Sequence, residues 1–181
     1  MRLLIASDIH GAARAAKRLV DAFRAEGADQ LVLLGDILYH GPRNDLPDDY
    51  APKRVIELLN GIADHIICVR GNCEAEVDQM VLDFSCLSTS NTLVDAECGR
   101  NLFLTHGHVF GPGVEGTSDR LPALRPGDIV LFGHTHVKVH MPCPARGDLV
   151  CFNPGSAGIP KDGSASYGIY DNGRLSHHLL G

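Results

Sequence analysis

The stretch that decides the fold lies near the N-terminus, where residues 2–11 read RLLIASDIHG. Residues 2–7 form an apolar run with the length of a buried strand, and Asp8 ends that run. From residue 11 to residue 25, apolar side chains recur at helical spacing with arginine and lysine between them. The sequence therefore predicts a strand, a polar turn that carries Asp8 and His10, and then a helix.

The same pattern of strand and polar turn recurs twice further along the chain. Residues 30–34 form a second apolar run that leads to Asp36, and residues 65–69 form a third that leads to Asn72. An amphipathic helix is predicted between these two strands, over residues 53–62. A β–α–β–α–β order predicts a parallel sheet, in which ligand-binding residues gather beyond the carboxyl ends of the strands.

The second half of the chain has shorter apolar runs, separated by Gly, Pro and Asp turns. Strands are predicted at residues 91–96, 102–105, 128–132, 137–140, 149–152, 167–171 and 175–178. Asn172 and Gly173 give the clearest hairpin signal, and the Gly/Pro-rich residues 111–127 are predicted to form a loop with one helical turn. A second, mixed or antiparallel sheet packed on the first would make an α/β sandwich.

Length and composition indicate a single domain over residues 1–181. The chain is long enough to bury one core and too short for two ordinary domains. Its net charge is −6 and it has no cluster of Lys and Arg, which argues against a dedicated nucleic-acid surface. The apolar run before Asp8 is too short for a signal peptide or a membrane span, so we expect a cytoplasmic protein whose six cysteines are reduced.

Five short segments, far apart along the chain, place metal-ligating side chains at the ends of apolar runs. They are DIH at 8–10, GD at 35–36, GN at 71–72, HGH at 106–108 and GHTH at 133–136. Together they hold two Asp, one Asn and at least four His, a nitrogen and oxygen set that suits Mn²⁺, Fe²⁺, Zn²⁺ or Ni²⁺. One metal takes roughly four to six ligands, so this set is large enough for two ions that share a carboxylate. The chain is interpreted as a binuclear metallohydrolase.

The order of these segments resembles the calcineurin-like metallophosphoesterase superfamily over nearly the whole chain. Longer runs are similar to the bacterial YfcE-type phosphodiesterases, namely SDIHG (7–11), LGDILYHGPRN (34–44), VRGNCEAEVDQM (69–80), LTHGHVFGP (104–112), GHTH (133–136) and FNPGSAGIPK (152–161). The resemblance implies a four-layer α/β sandwich of two mixed β-sheets flanked by helices. It also implies a binuclear metal site between the sheets at the strand ends.

The resemblance further implies seven metal ligands, one of them shared. The first ion would be bound by Asp8, His10 and His136, the second by Asn72, His106 and His134, and both by Asp36 together with a bridging hydroxide. The two divalent ions, Mn²⁺ in the first instance with Zn²⁺, Ni²⁺ or Fe²⁺ as alternatives, would activate that hydroxide to attack a phosphodiester.

Three residues near the implied ligands are candidates for catalysis: Asn72, Cys73 and His108. Cys73 stands where many superfamily members carry a His after the GN pair, and a small filler residue is an equally open reading of it. His108, two residues beyond His106, either faces the site or orients a ligand through a hydrogen bond. The general acid is left unassigned.

Polar residues around these motifs receive weaker assignments. His40 and Arg43, in the loop after the second strand, are candidates for substrate binding, with a solvated loop as the alternative; Arg43 would contact a phosphate oxygen. Arg70 is predicted to pair with a carboxylate, and Glu74 to lie at a helix start on a solvated face. Asn153 either reaches the site or supports a tight turn.

These residues predict a metal-dependent phosphodiesterase that acts on a small phosphodiester. A phosphomonoesterase or nucleotidase on the same metal centre is one alternative, and a non-catalytic scaffold with the same fold is another. No membrane partner is expected, and the resemblance allows a homo-oligomer, either a dimer or a tetramer.

Overall fold

The computed structural model describes residues 1–181, and its helices and strands follow the predicted order. Along the chain they are β1 (Arg2–Ala6), α1 (Ala13–Glu26), β2 (Gln30–Leu33), α2 (Pro52–Asn60), β3 (Ile66–Cys68), α3 (Glu76–Gln79), β4 (Ser90–Asp95), β5 (Arg100–Thr105), β6 (Ile129–Leu131), β7 (Lys138–Cys143), β8 (Arg146–Pro154), β9 (Ser166–Asp171) and β10 (Arg174–Leu179). None of the helices has the length and apolar character needed to span a bilayer.

The strands form two mixed five-stranded sheets. The first has the order β10-β9-β1-β2-β3, in which β1, β2 and β3 are parallel and β9 and β10 are antiparallel to their neighbours. The second has the order β4-β5-β6-β8-β7, in which β5, β6 and β8 are parallel and the two edge strands are antiparallel. Both the parallel first half and the second sheet are confirmed.

Successive side chains along a strand point to opposite faces of the sheet, which explains how the layers pack. Leu3 and Ile5 of β1 belong to the core between the two sheets, where they pack with residues such as Leu131 and Phe152 of the second sheet. The intervening Leu4 and Ala6 pack instead with the helices on the outer face. A strand that is buried on both faces reads as an unbroken apolar run, which is the pattern of RLLIA.

The two outer faces of the sandwich are covered differently. Helices α1 and α2 cover the first sheet, whereas residues of the segment 110–124, including Phe110 and Leu121, cover the second. This segment forms turns but no helix, so the predicted helical turn in 111–127 is absent. Gly113 and Gly116 adopt positive φ there, which is incompatible with a right-handed helix.

One buried hydrogen bond joins the two sheets near the end opposite the predicted site. The hydroxyl of Tyr170 on β9 donates to Asp95 Oδ2 of β4 at 2.6 Å, and both residues are buried. This hydrogen bond, together with the one from the Cys98 amide, lowers the pKa of the Asp95 carboxyl. The contact therefore stabilises the fold more strongly when Asp95 is ionised than when it is protonated.

We expect Tyr170→Phe to lower the free energy of unfolding at pH 7 by about 1–2 kcal/mol, because a buried carboxylate loses its hydroxyl donor. Since the folded-state pKa of Asp95 lies below its ordinary value, the stabilisation is present above that value and is lost as the pH falls through the folded-state pKa. Urea unfolding from pH 7 down to pH 3 measures the difference between wild type and variant. A difference that stays constant with pH would contradict the account.

Candidate metal centre

The carboxyl ends of parallel strands from both sheets bring the predicted ligand residues into one cluster. In the first sheet, the turn after β1 carries Asp8 and His10, the turn after β2 carries Asp36 and the turn after β3 carries Asn72. In the second sheet, the turn after β5 carries His106, and the turn after β6 carries His134 and His136. All of these side chains except those of Asn72 and His134 are buried. The strand-end rule applied to the sequence thus locates the cluster correctly.

The backbone of this cluster is held in an uncommon conformation. Six residues other than glycine have positive φ, and five of them are the predicted ligands Asp8, His10, Asp36, His134 and His136, with φ between 52° and 70°. A left-handed conformation at a residue other than glycine costs about 1–3 kcal/mol and persists only where the surrounding structure enforces it. Its concentration in one cluster is typical of a functional site.

One group of ligand atoms surrounds the Asp8 carboxylate. Asp8 Oδ1 lies 3.4 Å from His136 Nε2 and 3.7 Å from His10 Nε2, and the two imidazole nitrogens are 3.3 Å apart. Asp8 Oδ1 is buried and accepts no hydrogen bond, whereas Oδ2 accepts one from the His134 amide. A buried carboxylate oxygen without a donor is costly unless a cation occupies the space in front of it.

A second group of ligand atoms surrounds His106. Its Nε2 lies 3.1 Å from Asn72 Oδ1 and 3.1 Å from His134 Nδ1. These three atoms are a neutral nitrogen and oxygen donor set, which suits a divalent transition metal.

Asp36 lies between the two groups. Its Oδ2 is 3.6 Å from His10 Nε2 and 3.5 Å from His106 Nε2, so one oxygen atom faces both groups. Its Oδ1 accepts a hydrogen bond of 2.9 Å from the Cys73 amide, which fixes the orientation of the carboxylate.

Backbone carbonyls orient three of the four imidazoles. The Nδ1–H groups of His10, His106 and His136 donate to the carbonyls of Tyr39, Leu34 and Ile159 at 2.8, 2.7 and 2.7 Å. This leaves each Nε2 with a lone pair that faces the cluster, the usual arrangement of a metal-binding histidine. His134 differs, since its Nδ1 faces the cluster.

The charges of the cluster favour bound cations. Burial alone would raise the pKa of Asp36, but the hydrogen bond and charge of His106 outweigh it, and the pKa lies well below its ordinary value. Burial likewise opposes protonation of His106, yet the contact with Asp36 and the charge of Asp8 raise its pKa to about 9. The two carboxylates therefore stabilise a positive charge between them, even when that charge is only the proton on His106. Divalent cations fit this donor set and would replace that proton.

Comparison with known proteins identifies the family. The family model of the calcineurin-like phosphoesterase superfamily domain matches residues 1–173. The chain belongs to this superfamily. It is 49% identical over 178 residues to the phosphodiesterase YfcE of Escherichia coli strain K12, over 97% of this chain and 90% of that protein. The family resemblance read from the sequence is therefore confirmed.

Solved structures agree with this assignment. The structure of the phosphoesterase YfcE from E. coli matches with a TM-score of 0.91 and 48% identity, over 99% of this chain and 93% of that one. An archaeal phosphodiesterase, at 20% identity and a TM-score of 0.67 over 99% of both chains, shares the fold. Membership of the superfamily implies divalent metal ions, which the clustered Asp8, His10, Asp36 and His136 fit.

Glu74 supports the metal cluster by accepting hydrogen bonds from its backbone. The prediction that Glu74 lies on a solvated face is wrong. The side chain is only 3% exposed. Its carboxylate accepts hydrogen bonds from the amides of Asp36, Ile37 and Gly71 at 2.9, 2.7 and 2.5 Å. It thereby ties the turn after β2 to the turn after β3. A Cβ atom at position 71 would collide with Asp36 Oδ1, which explains the glycine there.

Of the two roles considered for Asn153, the structure shows support of tight turns, and its side chain contacts no histidine ligand and does not line the cavity. It is fully buried, and its Nδ2 donates to the Gly133 carbonyl at 2.8 Å and to Thr135 Oγ1 at 3.1 Å. Its Oδ1 accepts a hydrogen bond from the Gly155 amide within its own turn. Asn153 therefore supports the turn that carries His134 and His136.

A cavity of about 380 Å³ opens onto the cluster, and most of its lining is polar. Asn72 and Cys73 line it on the metal side, and Arg43, Glu115 and Lys161 line it further out. The Cys73 thiol lies 3.4 Å from Asp36 Oδ2, and burial together with the Asp36 charge raises its pKa. Lys161 ends the run 152–161 that carries the family resemblance, but neither it nor Glu115 was assigned a role from the sequence, because only the fold brings their loops to the site.

Two predicted residues lie away from this cavity. His40 is not among its lining residues, and its ring packs between those of Tyr39 and Tyr50 at 4.7 and 5.6 Å. His108 packs against His106 with ring centroids 5.2 Å apart and does not line the cavity either. Of the candidates for substrate binding, the structure therefore brings Arg43 to the cavity and leaves His40 outside it.

We expect Glu74→Ala to lower the free energy of unfolding by about 2–4 kcal/mol, because three buried amides lose their acceptor. Since Asp36 then loses its support, the affinity for Mn²⁺ should fall by about 10- to 100-fold. Urea unfolding and calorimetric titration with Mn²⁺ measure the two effects. Glu76→Ala, which changes an exposed neighbour, is the matched control.

The variant Glu74→Gln keeps one acceptor oxygen and serves if the alanine variant does not fold. It should show the same loss of Mn²⁺ affinity, reduced in size. Unchanged metal affinity in a folded Glu74 variant would show that this residue does not position Asp36.

Proposed function

We propose that this chain is a metal-dependent phosphodiesterase whose site holds two divalent cations that share Asp36. The observation that carries the proposal is the position of Asp36 Oδ2, which faces His10 Nε2 and His106 Nε2 at almost equal distances. The 49% identity to the phosphodiesterase YfcE over nearly the whole chain supports a diester as substrate.

The two groups of ligand atoms suggest how the cations would be held. Asp8, His10 and His136 would bind the first cation and Asn72, His106 and His134 the second, with Asp36 shared. Such a pair supplies a water molecule of lowered pKa and neutralises charge on the phosphate. Mn²⁺ suits this set of nitrogen and oxygen donors, as do Zn²⁺, Ni²⁺ and Fe²⁺.

The remaining site residues would bind and orient the substrate. Arg43 and Lys161 bring positive charge to the cavity beside the cluster, where the Arg43 guanidinium is suited to contact a phosphate oxygen. The Asn72 amide nitrogen donates to Cys73 Sγ at 3.3 Å, which turns its oxygen toward His106. Cys73 lines the cavity next to Asn72, so its thiol would lie beside the bound phosphate.

His108 would act through His106 rather than on the substrate in the main cavity. Its ring packs beside those of His106 and His134, at centroid distances of 5.2 and 6.1 Å. We therefore assign it the orienting role and leave the proton donor to the leaving group unassigned.

The cavity dimensions suit a small substrate. Its volume of about 380 Å³ accommodates the substituent of a small diester rather than a polymer. The free cysteines fit a reducing compartment, for which we propose the cytoplasm. We keep a homo-oligomer, a dimer or a tetramer, as the proposed assembly.

The test removes the metal with a chelator and then adds Mn²⁺ back. Cleavage of bis(p-nitrophenyl) phosphate and of p-nitrophenyl phosphate is measured in parallel after each of these two steps. We expect chelation to abolish cleavage of the diester and Mn²⁺ to restore it to a level well above that of the monoester. Asp36→Asn should lower the restored activity by about 10³-fold or more, since the shared ligand loses its charge.

Glu76→Ala is the control variant and should keep wild-type activity. Faster cleavage of the monoester would favour a phosphomonoesterase on the same centre. No activity on either substrate with any of the four metals would favour the non-catalytic scaffold.

A further inference from the structure

A second, smaller cavity lies beside the metal cluster. It has a volume of about 300 Å³ and is lined by Arg70, Gly71, Asn72, Thr89, His108 and Val109. Asn72 also lines the main cavity, so the two cavities meet at a residue of the cluster. A group bound in front of Asn72 could therefore extend into either of them.

Arg70 brings an uncompensated positive charge to the smaller cavity. The carboxylate partner predicted for Arg70 is absent. The arginines that form ion pairs in this chain are Arg2, Arg14, Arg54 and Arg146. Only the backbone amide of Arg70 is bonded, to the Ser88 carbonyl at 2.8 Å, although the residue is partly buried. A partly buried guanidinium with all of its donors free is suited to bind an anionic group.

A polar residue, His108, lines the same cavity. His108 Nδ1 is buried and has no hydrogen-bond partner within the chain. His108 therefore adds a polar wall to the cavity, and the unpaired Arg70 guanidinium is the group placed to bind an anion.

The two cavities differ in charge. Glu115 and Asp36 line the larger one together with its two cationic side chains, whereas no carboxylate lines the smaller one. The larger cavity therefore combines two carboxylates with two cationic side chains, whereas the smaller one presents an acidic substituent with the positive charge of Arg70 and no opposing carboxylate.

We infer that the smaller cavity is a subsite for an acidic substituent of the diester, in which Arg70 binds a carboxylate or phosphate group. The inference rests on the proposed function, because a diester has two substituents on phosphorus and needs room for both. With the phosphate held at the cluster, one substituent lies in the main cavity and the other passes Asn72 toward Arg70. The preferred substrate is thus a phosphodiester in which one alcohol carries a negative charge.

Binding measured without turnover tests the subsite. Calorimetry on the Mn²⁺-loaded protein compares 2-carboxyethylphosphonate with propylphosphonate, which has a methyl group in place of the carboxylate. We expect the carboxylate to bind roughly three- to tenfold more tightly in the wild type. The ratio of the two affinities should fall to about one in Arg70→Ala and be partly retained in Arg70→Lys.

Arg54→Ala, which removes an exposed arginine on α2, is the control and should keep the wild-type ratio. A ratio of one in the wild type would overturn the subsite. Loss of the ratio in Arg43→Ala but not in Arg70→Ala would also overturn it, since the anion would then occupy the main cavity.

Turnover separates this inference from the proposed function. The substrates are p-nitrophenyl 2-carboxyethyl phosphate and p-nitrophenyl propyl phosphate, assayed with Mn²⁺. We expect a lower KM for the carboxyethyl ester that depends on Arg70. Cleavage of both esters with equal KM would overturn the subsite alone, whereas cleavage of neither would overturn the proposed function and, with it, this inference about the substrate.

Discussion

The burial of two carboxylates, Asp8 and Asp36, between the sheets is the constraint on which the rest of the structure depends. Each is almost inaccessible to solvent, and Asp8 Oδ1 has no hydrogen-bond donor. Ionised carboxylates are expensive to bury without compensating charge, so the fold must bring nitrogen donors and cations to the same place. The parallel strands of the two sheets achieve this, because their carboxyl ends meet at one edge of the sandwich.

Holding these groups together requires strain and a rigid support. The left-handed backbone at five ligand residues would relax if the turns were free. Glu74 fixes the turns after β2 and β3 by accepting three amides, and Asn153 fixes the turn that carries His134 and His136. Carbonyls of neighbouring turns orient three imidazoles. These contacts within the chain hold the geometry of the cluster, which is the condition for a precise catalytic site.

The sequence predicted the two sheets and the cluster because both depend on patterns along the chain. The run RLLIA has the unbroken apolar pattern of a strand buried on both faces, and only Ser7 separates it from Asp8. The role of Glu74 was missed because its three partners lie on different turns, so nothing in its local sequence separates it from an exposed glutamate. Similarly, His40 and Arg43 share one loop, and the packing of that loop brings Arg43 to the cavity and leaves His40 outside it.

We propose that Asp36 joins two cations in one centre. Elemental analysis of the Mn²⁺-loaded protein, followed by low-temperature electron paramagnetic resonance on the same sample, tests this proposal. We expect two Mn²⁺ ions per chain and a spectrum of magnetically coupled ions, with the coupling lost in Asp36→Asn. A single ion per chain, or two ions that give only the signal of isolated Mn²⁺, would contradict it.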